Sequence, residues 1–114
     1  MGGSAGYAPN RHSATAKPGK KNEIMTILAS DLLPLLKKQQ GFVDAVGLAG
    51  DVSPDEGVTL TFWTTKDDAE RFYATQEFKS KMDRITPLLL EGMKVRTFNL
   101  ETSTFHKIAA GKAA

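Results

Sequence analysis

An α+β fold of the ferredoxin-like kind, with element order β-α-β-β-α-β, is predicted by three observations on the sequence. First, two stretches, 21–39 and 65–89, repeat their apolar residues at three- and four-residue steps, as amphipathic helices do. Second, Phe42 to Gly50 and Val58 to Trp63 alternate as strands do, and the polar connection Asp51-Val-Ser-Pro-Asp-Glu-Gly57 has the proline and glycine of a hairpin loop. Third, weaker strand patterns lie at either end, Arg11 to Ala16 and Lys94 to about Glu101. Two βαβ-type units joined by the hairpin then give four antiparallel strands with both helices on one face.

Arg11 to Ala16 is short and carries only small or polar side chains. Lys17-Pro-Gly-Lys20 turns the chain, with proline and glycine supplying the turn. In the first helix Ile24, Ile27, Leu28, Leu32, Leu35 and Leu36 form one face, and Gly41 stops it. Pro34 lacks a backbone donor and crowds the preceding turn, which predicts a kink near Ser30 or a restart. Strict alternation then puts Phe42, Val46 and Leu48 on one face of the next strand and Val43, Ala45 and Ala49 on the other. In the following strand Val58, Leu60 and Phe62 oppose Thr59, Thr61 and Trp63.

Thr65 is a fitting N-cap for the second helix, its hydroxyl placed to accept from the Asp68 amide, and Asp67 and Asp68 suit the positive end of the helix dipole. Ala69, Phe72 and Tyr73 give the apolar face. Thr75 reads as a second cap, so an interruption is expected near Ala74–Thr75, with Phe78, Met82, Ile85 and Leu89 on the buried side beyond it and Gly92 as the end.

The 114 residues form one domain, expected to span 11–108 between small-residue ends at 1–10 and 109–114 that read as flexible. The absence of cysteine removes disulfides, thiolate catalysis and Cys-ligated metals. Fifteen basic residues are interleaved with thirteen acidic ones for a net charge of +2, with no basic stripe for nucleic acid. No apolar run approaches the ~20 residues of a membrane span. No signal-peptide core or metal-ligand spacing is visible, so a cytoplasmic protein without metal is expected. On these faces the side of the sheet away from the helices carries Val43, Ala45, Ala49 and Trp63. Soluble proteins avoid exposing such a patch, which calls for a partner, here a second copy of the chain.

Several features together resemble a known family. The turn Lys17-Pro-Gly-Lys20 opens a helix, Gly41-Phe42 begins a strand, and Trp63 ends one, followed by Thr65-Lys-Asp-Asp-Ala-Glu-Arg-Phe72 and Thr75-Gln-Glu-Phe78. Over roughly Arg11 to Leu100 the sequence resembles the antibiotic biosynthesis monooxygenase domain of the dimeric α/β-barrel superfamily. That resemblance implies two sheets packed face to face in a homodimer, with a pocket between sheet and helices in each protomer. For its oxygenase members it implies no metal, flavin or heme, the carbanion of a phenol or anthrone-type polyketide reacting with oxygen directly. The heme-degrading branch uses an asparagine on the first strand, a tryptophan at the Trp63 position and a histidine on the next helix. This chain has no histidine between Trp63 and Phe105, and Tyr73 stands in that helical region, which argues against heme degradation.

The catalytic candidates are Trp63, His12 and Asn10. Trp63 either anchors a sheet corner or donates its N–H at the rim of the pocket. His12 lies among alanines on a strand expected to be central, where small side chains leave space beside an imidazole able to act as a base; the alternative is a partly exposed residue near a frayed end. Asn10 is the asparagine nearest the first strand. Phe62, Phe72, Tyr73, Phe78 and Met82 are the candidates to line an apolar or aromatic ligand, or else to fill a core. The function these readings favour is a small cofactor-independent monooxygenase acting on an aromatic or polyketide-like substrate. The alternative is a non-catalytic ligand-binding or structural homodimer. An oxygenase needs an enclosed apolar pocket with a few convergent polar groups, whereas a structural dimer needs a filled core.

Overall fold

A computed structural model describes residues 8–102 of the chain. Strand β1 (Ala8–Thr15) leads to a first helical segment made of α1 (Lys21–Ile27), a π-helical turn (Leu28–Leu32) and α2 (Leu33–Lys37). The hairpin β2 (Phe42–Ala49) and β3 (Glu56–Trp63) follows, then α3 (Lys66–Tyr73), α4 (Gln76–Ile85), a short 3-10 turn (Thr86–Leu88) and β4 (Lys94–Thr97). The strands form one antiparallel sheet in the order β2-β3-β1-β4, with β1 central. The ferredoxin-like order is therefore the one that the alternation and the two helical periods predict. β1 begins three residues earlier than its pattern suggests, so Asn10 lies within the strand, and β4 is shorter than expected. The end of the domain, expected at residue 108, lies outside the described residues.

The helix breaks fall where the sequence places them, for reasons of backbone hydrogen bonding. Pro34 cannot donate to the carbonyl of Ser30, and the chain widens into the π turn before restarting with proline in the first turn of α2. An ion pair between Arg84 and Asp31 ties α4 to that turn. Thr65 Oγ1 accepts from the Asp68 amide at 3.0 Å, capping α3. Thr75 Oγ1 accepts from the Phe78 amide at 3.1 Å, capping α4, so the second helix is indeed interrupted at Ala74–Thr75.

Gly41 ends the first helical segment with φ +82°, and a Cβ there would lie 2.2 Å from Asp68 Oδ2. Its carbonyl also accepts from the Thr64 amide at 2.8 Å. The start of β2 is thus threaded beneath the first turn of α3 at a point where only glycine has room.

One register detail overturns the expected faces of β2. Phe42 pairs with Trp63, but Asp44 pairs with Phe62, leaving Val43 as the extra residue of a β-bulge. Beyond it Ala45 pairs with Thr61 and Gly47 with Thr59. Phe42, Ala45, Gly47 and Ala49 therefore share the face of Trp63, and this face looks towards the helices. The expectation that Ala45, Ala49 and Trp63 lie on the helix-free side is wrong: that side carries Val46 and Leu48 with Val58, Leu60 and Phe62, while Val43, in the bulge, has no partner in the register. The bulge changes the phase of alternation after Phe42, which a strict two-residue period cannot anticipate.

Apart from Ala8 and Ala16, the buried apolar residues among the described ones divide into two groups. One comprises Leu32, Leu36, Trp63, Ala69 and Phe72; the other comprises Ile27, Ile85 and Leu89. Leu28 packs against both. A small domain usually has one contiguous core, and the interruption between these two is where the cavity lies.

Candidate functional site

The sheet floor beneath the helices is built from small side chains. Across the strands, Gly47, Thr59 and His12 form one row and Ala45, Thr61 and Asn10 the next. Small residues cannot fill the distance from sheet to helix, and a cavity of about 260 Å³ remains. Its floor is His12, Ala45, Gly47, Thr59 and Thr61. The first helical segment supplies Met25, Leu28, Leu32 and Leu36, and the second supplies Phe72, Tyr73, Phe78, Met82 and Ile85. A second hollow of similar size adjoins it towards Ala14 and Ala16, and His12, Gly47 and Thr59 border both. The imidazole therefore sits at the junction of two lobes.

The polar groups of this lining converge. Trp63 Nε1 donates to Thr61 Oγ1 at 3.1 Å, and that oxygen is 2.7 Å from the hydroxyl of Tyr73. Three donors are present, the indole N–H and two O–H groups, and the two bonds use two of their hydrogens. If Tyr73 donates to Thr61, the Thr61 proton is uncommitted; if Thr61 donates to Tyr73, the Tyr73 proton is. Either way the pair retains one O–H for an acceptor in the cavity. Burial pushes the Tyr73 phenol up from 10.0, only partly offset by the neighbouring Thr61 hydroxyl and Trp63 indole, so it remains a neutral donor at pH 7.

His12 is 9% exposed, and its ring lies 4.9 Å from that of Tyr73 at 48°. Desolvation lowers its pKa from 6.5. A neutral imidazole offers one acceptor nitrogen and one donor, and among the described residues neither has a hydrogen-bond partner. His12 is thus buried, neutral and unengaged, rather than the partly exposed residue of the alternative reading.

Trp63 is fully buried. Its ring contacts Phe42 at 5.5 Å, Phe72 at 5.6 Å and Tyr73 at 5.8 Å, in an aromatic cluster that Phe78 completes. The indole is therefore not at the rim of the cavity with its N–H aimed inward. It lies behind the wall, and its N–H reaches the cavity only through Thr61. In the first turn of α3, Asp68 binds Thr64 and Arg71, and the Arg71 contact in particular holds its carboxyl below the ordinary 3.8.

No protein-family model matches the sequence, and no curated protein does. Solved structures, by contrast, match over nearly their whole length. SnoaB, a cofactor-independent oxygenase from Streptomyces nogalater, gives a TM-score of 0.77 over 88% of this chain and 98% of its own, at 19% identity. A Bordetella bronchiseptica protein provisionally named an antibiotic biosynthesis monooxygenase gives 0.76 over 84% and 98%, at 16% identity. One from Nitrosomonas europaea, named likewise, gives 0.76 over 86% and 93%, at 14%. The fold is that of the antibiotic biosynthesis monooxygenases.

Within this monooxygenase fold the residues singled out by sequence separate clearly. His12, Phe72, Tyr73, Phe78 and Met82 line the cavity. Phe62 does not: it pairs with Pro9 and Asp44 on the helix-free face. Asn10 is 4% exposed beside Thr61 on the helix face, its Oδ1 without a partner among the described residues, but it is not part of the cavity lining. Thr59 and Thr61 were not singled out, although alternation already put them on the face of Trp63; the signal was two hydroxyls on the same face as a lone indole.

Two outcomes test this wiring. Thr61→Val keeps the shape but strands the buried indole N–H, and should cost about 1–3 kcal/mol in urea unfolding, with the Tyr73 phenolate forming at still higher pH in an ultraviolet titration. For His12, the folded-state pKa lies below 6.5. The unfolded chain therefore binds a proton that the folded chain refuses, and stability is lost as pH falls through 6.5 towards the folded value. The loss of unfolding free energy between about pH 7.5 and about pH 5 should be smaller in His12→Asn than in the parent protein.

Proposed function

We propose that the protein is a small, cytoplasmic, cofactor-independent monooxygenase acting on an aromatic or polyketide-like substrate. The observation that carries the reading is the apolar cavity in which His12 and the Thr61–Tyr73 hydroxyl pair converge. A purely structural dimer would have filled this space. His12, neutral near pH 7, takes a proton from a carbon or hydroxyl acid bound in the apolar chamber. The O–H retained by Thr61 and Tyr73 donates to the oxygen on which the negative charge collects. The resulting carbanion gives its electrons to dioxygen, which adds at carbon as a peroxide. Loss of water from the peroxide leaves a carbonyl, so that one oxygen atom enters the product and the other leaves as water. Trp63 acts through Thr61, as a positioning residue.

Anthrone is a suitable probe, since the same balance converts its methylene group to the carbonyl of anthraquinone. Oxygen uptake with matching anthraquinone formation should exceed the uncatalysed rate, and His12→Asn should lower it at least tenfold, about 1.4 kcal/mol in the barrier. Binding of anthrone without oxygen uptake would favour the second reading, a ligand-binding dimer of the same fold.

The proposal includes a homodimer through the helix-free face. That face is lined by Val46, Leu48, Val58, Leu60 and Phe62, with Leu48 at 53% exposure. Arg11 and Arg96, paired across β1 and β4, both lie over the Phe98 ring and give the face a basic margin. A dimer of this sort buries on the order of 2,000 Å². It should sediment as a dimer at micromolar concentration and as a folded monomer in Leu48→Lys/Leu60→Lys; a wild-type monomer under those conditions would overturn it.

A further inference from the structure

Gly47 stands in the middle of β2 with no backbone reason to be glycine. Its φ is not positive, and a Cβ built on it meets no heavy atom within 4 Å. Glycine in a strand interior weakens the strand, and it otherwise marks a bulge or a point where something approaches the backbone closely. The bulge of this strand is at Val43, four residues away. Paired with Thr59, Gly47 would direct a side chain to the helix face, so a second sheet packed on the other face does not explain it either.

The open space above it belongs to the cavity. β2 is an edge strand, and Gly47 borders both lobes. Opposite it on the first helical segment, Met25 and Leu33 line the cavity while remaining 51% and 38% exposed. Large apolar side chains left half in solvent on one side, and bare backbone with Ala45 on the other, make an apolar mouth along this edge. From Gly47 the row runs inward to Thr59 and then His12.

We propose that Gly47 is the specificity-determining position of this mouth, the bare backbone on which a flat aromatic ring lies with its leading edge towards Thr59 and His12. The inference rests on the cavity being a ligand site, as the proposed function requires, but it does not depend on oxygen chemistry. A ring lying flat contacts Cα and the peptide faces with its whole area. Any side chain at this position would occupy that plane. Met25 and Met93, also in the lining, are unbranched and can repack around rings of different outline.

The test uses 1-naphthol as the probe in calorimetric titrations of the wild type, Gly47→Ala and Gly47→Val, with thermal unfolding of each. Affinity should fall progressively, at least tenfold for Gly47→Val, while the unfolding midpoint and the sedimentation of the dimer stay level or rise, because a strand former replaces glycine in open space. Unchanged affinity in Gly47→Val overturns the proposal, as does absence of 1-naphthol binding to the wild type. A fall in midpoint or loss of the dimer in Gly47→Val also overturns it, since the glycine would then serve packing. Equal affinity for saturated decahydro-1-naphthol overturns the flat-ring assignment. If 1-naphthol binds and Gly47→Val blocks it while anthrone consumes no oxygen, the role of Gly47 stands and the oxygenase reading fails.

Discussion

The hydrogen bond from the Trp63 indole to Thr61 is the constraint around which the helix side of the molecule is arranged. A fully buried indole must find an acceptor, and the nearest available is two residues back on the same strand face. Thr61 accepts from Trp63 and still has a proton and a lone pair to share with Tyr73, which is held against it from α3. The aromatic cluster then follows. Phe42 reaches the indole because the bulge at Val43 turns it to the helix face, and Phe72 and Phe78 close around Tyr73. Capping at Thr65 and Thr75 sets where α3 and α4 begin, and so keeps both aromatic pairs over the strand.

On the other side of His12 the balance is different. Instead of large rings there are Gly47, Ala14, Ala16 and Ala49, and the helices above them have nothing to pack into. At ~24 cal/mol per Å³, an empty apolar cavity of 260 Å³ would forfeit on the order of 6 kcal/mol. That is an upper bound for a cavity with a mouth, yet it is comparable to the whole net stability of a domain, about 5–15 kcal/mol. The aromatic cluster at one end and the Ile27, Ile85 and Leu89 cluster at the other hold the layers apart at the cost of that packing. A burial that isolates one imidazole and one hydroxyl pair in such a space is the arrangement that acid–base chemistry on an apolar substrate requires.

Much of this was legible in the chain because it is local. Helical periods, the two threonine caps, the proline break and the glycine stop are each decided within a few residues, and the two helices and the hairpin followed from them. The small side chains near His12 also announced space once β1 was placed at the centre of the sheet. What escaped was non-local. A bulge depends on how two strands align, so strict alternation reverses the faces of β2 beyond Phe42. In β3, which alternates without interruption, the apolar face with Phe62 turns away from the helices, against the usual rule that the apolar face meets them. The fate of the Trp63 N–H depended on Thr61, and nothing in a lone threonine marks it as the acceptor that removes the indole from the rim. Asn10 fell inside a strand whose beginning has no apolar pattern to read.

The Thr61–Tyr73 pair has two hydrogen arrangements with the same heavy-atom positions. An acceptor oxygen in the cavity would select between them, and choosing one of two near-equivalent states costs less than thermal energy. The site is thus stiff in its carbon framework and soft in its protons. As charge on a substrate migrates from one oxygen to another, the role of free donor can pass from the threonine to the tyrosine by two hydroxyl rotations, each oxygen keeping its own proton. The protein would solvate a moving charge, as water does, with hydroxyls fixed in its own framework.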